Sequence, residues 1–550
     1  MEISTLSPED LGLPEKFSHF RPAQVDALER IAESDKEVNL LQAPTGSGKT
    51  LIMAAMGKYL DTQVLYTCHT KQLQGQVVDD FPYAVELKGR SNYSCLKGGY
   101  TCNECTSERG SSSRRLCRDC RYQVCLFKIR GEEVDKCPCA SECPYGLQKR
   151  RAKQADLAVL NMAYFLNESN FAGDFSGWPW VVLDEGDLTE NALMSFIEVT
   201  ITAARIEQLR IAPPKKKTVA GAWFEWAEDN AIPAIEAQLS ELEDAVLAFD
   251  IREKKELERL LTKLRFLIKQ NLDTWAFIPS EAAWTFKPVF ISRYAEYNLW
   301  KHGERFLIMS ATIVSPKQFA RDLGLDEGNI EFIDLPCTFP AERRSVHFAP
   351  MADMTHKSKD SAWPLAVRAL DRILDEHPGE KGLVHTVSYP LARYVFDNSR
   401  HKVRLLQHDP THRISALEQF KMEDRPLVLI SPSMDRGVDL PHALCRFLVL
   451  LKIPYPNLGD QQISRRLYSA HDGPIWYAVQ TIRTIVQSTG RGMRSEHDWC
   501  VSYILDEQFR RLYRQYADMF PRWWRDALTP CPPFLQKKAL RDPPQPEESK

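Results

Sequence analysis

At 550 residues the chain has room for three to four domains of about 150 residues each, with cores large enough to need no disulfide staples. Hydrophobic residues at 43% and charged residues at 26% exclude collagen-like, wholly disordered and membrane-embedded classes. A net charge of −3, from 71 basic and 74 acidic residues, means that a polyanion partner has to be met by a local groove.

Residues 1–20 lack a basic start followed by an apolar stretch, which predicts no secretory signal and a cytoplasmic protein. No run of about 18 apolar residues marks a membrane span. In chain order, Val38–Leu41, a Gly-rich stretch and Thr50–Tyr59 read as strand, loop and helix. Strand-like runs follow at Gln63–Thr67, Leu157–Leu160 and Trp180–Leu183, separated by helical patterns. That alternation predicts a parallel sheet with helices on both faces. Residues 85–150 break it, being rich in Cys, Gly and Arg, and read as an insertion folded around a metal. Residues 190–300 carry apolar residues at helical spacing and read as a helical insertion. Trp223, Trp226, Trp275, Trp284 and Trp300 are expected in its core. A second strand–helix alternation begins near residue 345, with strands at Gly382–His385, Leu427–Ser431 and Phe447–Leu451. The Pro-rich, charged end, 531–550, is expected to be disordered.

Ala43-Pro44-Thr45-Gly46-Ser47-Gly48-Lys49-Thr50 fits the phosphate-binding P-loop. Glycines let backbone N–H groups approach phosphate oxygens, Lys49 meets the β- and γ-phosphates, and Thr50 offers a hydroxyl to Mg²⁺. Trp180–Leu183 followed by Asp184-Glu185 is a buried strand ending in two carboxylates. Asp184 would hold Mg²⁺ through water, and Glu185 would polarise the attacking water. Gln487–Arg494 in the second lobe offers positive charge for the γ-phosphate, with Arg491 and Arg494 three apart on one helix face; by spacing alone they equally fit two solvated arginines.

Nine of the fourteen cysteines fall at positions 95, 102, 105, 117, 120, 125, 137, 139 and 143. In a cytosolic chain such clustering favours metal over disulfides. An iron–sulfur cluster takes four thiolates, whereas Cys102-x2-Cys105-x11-Cys117-x2-Cys120 has the spacing of two zinc knuckles. Either metal, or both, fits the count. Lys149, Arg150, Arg151 and Lys153 follow directly, as a phosphate track or as an ordinary solvated helix face.

The order of motifs extends further. Phe20-Arg21-Pro22-Ala23-Gln24 precedes the P-loop, and Tyr66–Thr70 with Gln72-Leu73 follows it. Asp184-Glu185-Gly186-Asp187, Ser310-Ala311-Thr312, Gly437-Val438-Asp439 and Gln487–Arg494 come next. Gly89–Cys95 and Cys143-Pro144-Tyr145 stand at the edges of the Cys-rich insertion, and Lys149–Leu166 leads back out of it. Across nearly the whole chain this resembles the XPD/DinG-like group of superfamily 2 helicases.

The resemblance implies an α/β fold of two RecA-like P-loop lobes, with a cysteine-rich cluster insertion and a helical arch in lobe one. Lobe one would comprise 1–84, 151–189 and 301–340, the insertion 85–150, the arch 190–300 and lobe two 341–530. It further implies an ATP- and Mg²⁺-dependent motor on single-stranded and forked DNA, moving 5′ to 3′. Gln24 resembles the adenine contact, and Lys49, Thr50, Asp184 and Glu185 the hydrolytic set. Ser310 and Thr312 resemble the motif that couples ATP to DNA, and Asp439 the second-lobe nucleotide sensor. Gln487, Arg491 and Arg494 resemble the charge-stabilising face.

The same resemblance implies one 4Fe–4S cluster with Cys95 and Cys143 as ligands; Cys105 and Cys137 are our choice for the middle pair, with Cys102, Cys117, Cys120, Cys125 and Cys139 as alternatives. Asp187 stands where His is usual in the group, and Gly186 where Ala is common. An ATP-binding clamp without productive unwinding and a translocase that strips proteins are the competing readings.

Overall fold

The computed structural model describes residues 3–94, 143–242, 248–432, 440, 442–490 and 498–536. Two seven-stranded sheets organise them. The first is built from β1 (Val38–Gln42), β2 (Val64–Cys68), β3 (Val85–Leu87), β4 (Leu157–Asn161) and β5 (Trp178–Asp184). After an excursion through β6 (Val199–Thr202), β7 (Trp275–Pro279) and β8 (Ala283–Pro288), β9 (Gly303–Ser310) and β10 (Ile330–Asp334) complete it. Its order is β10-β1-β9-β5-β2-β4-β3, every pair parallel. β1 and β2 are buried along their whole length, as strands covered by helices on both faces must be.

The second sheet contains β11 (Val346–Ala352), β12 (Gly382–His385), β13 (Leu405–Gln407), β14 (Val428–Ser431), β15 (Phe447–Leu450), β16 (Val501–Asp506) and β17 (Leu528–Thr529). Its order is β13-β14-β12-β15-β16-β11-β17, again all parallel. The helices that carry the site are α1 (Pro22–Glu33), α2 (Lys49–Tyr59), α3 (Pro144–Gln154), α4 (Thr189–Ile197), α5 (Ala248–Leu267), α6 (Pro316–Asp322), α7 (Gln461–Ser469) and α8 (Gly473–Thr489).

Two expectations need correction. Residues 190–300 are not purely helical: β6, β8 and β7 form a three-stranded antiparallel sheet beside α4 and α5. β8 alternates buried and half-buried residues, with Trp284 and Phe286 inward, a period-two pattern lying between long helical stretches. The five tryptophans do lie in the core, with Trp223 against Trp284 at 4.4 Å between ring centroids. This core is continuous with one face of the first sheet, so the excursion is packed onto lobe one. The second correction concerns the tail. Residues 531–536 are ordered on lobe two, where Leu535 is fully buried among the residues around β11 and β12. Phe534-Leu535 supply an apolar anchor ahead of the charged stretch, and residues 537–550 lie outside the described ones.

Candidate nucleotide and interlobe site

β1, β5 and β9 are adjacent and parallel, so their carboxyl ends deliver three loops to one edge of the sheet. That edge is where open α/β sheets bind ligands. β1 ends in the P-loop, β5 in Asp184-Glu185, and β9 in Ser310-Ala311-Thr312. Gly46 and Gly48 have φ near +80°, a left-handed conformation that glycine adopts at no steric cost. Gly48 then opens α2, turning its N-terminus toward the loop, and Lys49 Nζ lies on the carbonyls of Ala43 (3.2 Å) and Pro44 (3.4 Å). Thr45 and Thr50 are half-buried. The Ser47 hydroxyl is buried without a hydrogen-bond partner in the structure, an orphan facing the loop where phosphate oxygens would supply acceptors.

Gln24, from α1, braces this loop. Its Oε1 accepts from Arg21 N at 2.8 Å and its Nε2 donates to Ser47 O at 2.9 Å. One bond at each end of its amide fixes the side chain and leaves a second N–H and a second lone pair for an adenine edge. Arg21 adds a bond from Nη1 to Gly46 O at 2.9 Å.

Asp184 accepts from Tyr66 Oη at 2.5 Å, which fixes the carboxylate at the end of β5. Burial, and then the Asp184 charge, drive the Tyr66 phenol well above its ordinary range, so it stays a donor. Glu185 has φ +49°, a left-handed conformation that costs a non-glycine residue and concentrates at functional sites. Gly186 is required by its neighbour: a Cβ there would lie 2.2 Å from Cγ2 of Ile308 on β9.

Asp187 is buried and joins three motifs. Its Oδ1 accepts from Ser310 Oγ at 2.6 Å and its Oδ2 from Gln487 Nε2 at 2.7 Å. The same Nε2 reaches Thr312 Oγ1 at 2.9 Å, and Thr312 N donates to Ser310 Oγ at 3.0 Å. Gln487 lies near the end of α8 in lobe two, so this network crosses the cleft between lobes. Arg491, Arg494 and Asp439 lie outside the described residues.

The sequence reading missed the rest of the interlobe seam. Arg483, 2% exposed, donates to the carbonyls of Thr312 (3.2 Å) and Ile313 (3.4 Å). Arg466 of α7 grips Asp472 with both nitrogens at 2.9 Å and reaches Asp322 of lobe one at 2.8 Å. Gln318 Nε2 bonds both carboxylates at 2.8 Å. Burial pushes the Asp322 carboxyl up against the pull of Arg466, whereas hydrogen bonds from Arg466 hold Asp472 well below the usual carboxylate range. Glu190 of α4 accepts from Trp476 Nε1 at 3.3 Å and Gln480 Nε2 at 3.1 Å. A signal for these was present: Trp476, Gln480, Arg483 and Gln487 recur at four-, three- and four-residue steps along one face of α8.

Of the cysteines named above only Cys143 is described; Cys95, Cys102, Cys105, Cys117, Cys120, Cys125, Cys137 and Cys139 lie outside the described residues. Cys143 is the N-cap of α3, where a helix N-terminus favours a thiolate. The two rims of the segment meet there: Tyr93 packs edge-on against Tyr145 at 5.6 Å, and Tyr145 Oη pairs with Tyr164 Oη at 2.7 Å. Among the described residues no group of three or more His, Cys, Asp or Glu side chains is arranged to hold a metal. Lys149 is half-buried in ion pairs with Glu168 (2.6 Å) and Asp174 (2.5 Å), and Lys153 pairs with Asp174 at 2.8 Å. Both lysines are thus engaged in ion pairs on α3, Lys149 half-buried and Lys153 exposed. No helix among the described residues is long and apolar enough to cross a membrane.

Comparisons with known proteins agree with this architecture. A helicase C-terminal domain model matches residues 370–527, and a model of the type III restriction enzyme res subunit matches 17–125. The chain is 28% identical over 122 residues to a Gallus gallus Fanconi anemia group J protein homolog, covering 20% of this chain. It spans only 10–12% of the length of that and the next two curated relatives. Over 528 residues it is 21% identical to the ATP-dependent DNA helicase XPD of Sulfolobus acidocaldarius, covering 86% of this chain and 93% of the other. A solved XPD helicase structure shares its fold with a TM-score of 0.61 at 18% identity, over 93% of this chain and 99% of that one. Fold, motif order and domain matches define a two-lobed P-loop protein of superfamily 2. The domain matches, the XPD and Fanconi anemia group J relatives and the shared fold support an XPD/DinG-like helicase assignment.

Proposed function

We propose that this protein is an ATP-dependent DNA helicase that moves 5′ to 3′ along single-stranded DNA and opens forked duplex. The observation that carries the reading is the Asp187 carboxylate. It ties the acidic motif that follows β5 to Ser310 in lobe one and to Gln487 in lobe two, so hydrolysis and lobe closure share one hydrogen-bond network. In this reading Lys49 and the P-loop amides hold the nucleotide phosphates, and Thr50 and Asp184 hold Mg²⁺. Glu185 orients the attacking water, and Gln487, Arg491 and Arg494 meet the developing charge on the γ-phosphate. Gln24 and Asp439 complete the nucleotide-binding set.

A cleft of about 580 Å³ between the lobes supports the strand-binding part. Asn191 and Lys287 line it from the lobe-one side, and Tyr455, Trp476 and Ser488 from lobe two. The Ser488 hydroxyl is buried there without a partner in the structure. Both insertions precede Ser310 and so belong to lobe one. If they split duplex, lobe one leads, and a superfamily 2 strand has its 3′ end over lobe one.

The family implies one 4Fe–4S cluster in the Cys-rich segment, and Cys95, Cys105, Cys137 and Cys143 are our proposed ligands. The position of Cys143 at a helix N-terminus suits a ligand thiolate. Anaerobically purified protein should contain roughly equal iron and acid-labile sulfide, and Cys143→Ser should lose both. Stoichiometric zinc without sulfide would replace the cluster with paired zinc knuckles.

The deciding experiment is steady-state ATPase with and without single-stranded DNA, followed by unwinding of tailed duplexes. Stimulated turnover and opening of 5′-tailed duplex are expected. Unstimulated turnover would favour the clamp reading, stimulation without unwinding the protein-stripping translocase, and preference for a 3′ tail would reverse the direction.

A further inference from the structure

Glu190 stands one helical turn beyond Asp187 on the same continuous stretch of chain, in α4. It touches two things at once. It lines the interlobe cleft, and it is the acceptor for two donors on α8 of lobe two, Trp476 Nε1 and Gln480 Nε2. Trp476 and Gln480 line the same cleft, on the same helix face that carries Gln487 to Asp187 seven and eleven residues later. Lobe one thus grips one face of α8 through two carboxylates, one at the acidic motif and one at the cleft. The indole of Trp476 is further held by the Arg466 guanidinium, 5.3 Å from its ring centroid, and Arg466 bridges to lobe one through Asp322. Each of these groups is buried or nearly so, where an unpaired acceptor or donor is costly. A strand occupying the cleft has to share space with the very side chains that pin α8 to α4.

We infer that Glu190 with Trp476 is a positioning pair that links strand binding in the cleft to the arrangement of Gln487 and Asp187 at the nucleotide site. The inference rests on the cleft being the DNA path, as proposed above. Glu190 touches neither nucleotide nor reacting atoms; it acts by setting where α8 sits. Because coupling between two ligands is reciprocal, its signature is the factor by which a bound nucleotide changes affinity for the strand.

The test measures the Kd of a short fluorescent single-stranded oligonucleotide, with and without a non-hydrolysable ATP analogue. Wild type, Glu190→Ala and Trp476→Phe are compared. Wild type should show a ratio of about fivefold or more between the two conditions. Both variants should bring that ratio close to one, and the double variant should add little, because the two changes remove one contact from opposite sides. Trp476→Phe keeps a six-membered aromatic ring and removes the N–H together with the pyrrole half of the indole, so it breaks the contact from the other lobe and leaves Glu190 and its Gln480 bond in place, a check on a folding defect in Glu190→Ala. A merely structural role would weaken binding equally in both conditions and leave the ratio unchanged, which would overturn the inference. Failure of the wild type to bind the oligonucleotide would instead overturn the DNA reading and this inference with it.

Discussion

Replacing Asp187 by alanine separates what that carboxylate does within lobe one from what it does across the cleft. Two hydrogen bonds to a charged, buried acceptor are lost, from Ser310 at 2.6 Å and from Gln487 at 2.7 Å. Each is worth about 1.5–3 kcal/mol. The Ser310 bond joins residues of the same lobe, so its loss is expected to lower the stability of lobe one rather than the grip between lobes. Only the Gln487 bond spans the lobes. Its nitrogen keeps Thr312 Oγ1 at 2.9 Å, which holds the loss toward the lower end of the range. At about 1.4 kcal/mol per tenfold, the cross-lobe share predicts roughly a tenfold fall in kcat/KM for ATP. The assay is a double-mutant cycle with Gln487→Ala, read as kcat/KM in saturating single-stranded DNA. If the two substitutions simply add, with an interaction energy below about 0.5 kcal/mol, Asp187 does not work through Gln487 and the argument fails.

Lys49→Ala should weaken nucleotide binding, whereas Glu185→Gln should keep binding and arrest turnover; equilibrium nucleotide titration beside ATPase measurements checks this, and wild-type turnover in Glu185→Gln would mean the catalytic carboxylate lies elsewhere. Gly186→Ala should lower stability by about 1–3 kcal/mol through overpacking against Ile308, seen as a drop in denaturant midpoint at constant slope. An unchanged midpoint would show that Ile308 yields freely. For pH, burial and then the charge of Asp322 push the Glu190 carboxyl up to about 7 from 4.5, with Arg466 and Arg483 opposing and Lys287 lining the same cleft. The folded protein holds that proton more tightly than the unfolded chain. Its stabilising contribution is therefore full below pH 4.5 and is lost as pH rises through about 7. The difference in Tm between wild type and Glu190→Gln should change between about pH 6 and about pH 8, to the wild type's disadvantage. Parallel curves would refute it.

The parts of the site legible in the sequence are those whose chemistry is local. Gly46, Gly48 and Lys49 need one loop, and Asp184-Glu185 need one strand end, so spacing alone announces them. The parallel lobes were equally readable, because strands such as β4 over Leu157–Leu160 and β15 over Phe447–Leu450 are buried on both faces and read as apolar runs. The interlobe seam was not, since Glu190 and Trp476 are 286 residues apart and their pairing depends on how two sheets dock. β6–β8 were lost for a different reason: short period-two segments inside a helix-rich span leave little signal in a long window. Gly186 and Asp187 depart from the residues usual in the acidic motif of the group. In the folded chain one makes room for Ile308, and the other supplies the carboxylate that Gln487 and Ser310 share.

The meeting of Tyr93 with Tyr145 at the edge of lobe one has a consequence for how the chain tolerates change. Residues 94 and 143 leave and rejoin the lobe beside the same aromatic contact, next to β3, the last strand of its sheet. The scaffold thus already holds together the two ends of the 48-residue span between them, and closure entropy grows only slowly with the length of what is closed. A change in the length or content of that span is therefore expected to leave the strand order and the P-loop edge intact. The lobe is a socket, and evolution or an engineer can refit what is plugged into it without rebuilding the engine behind.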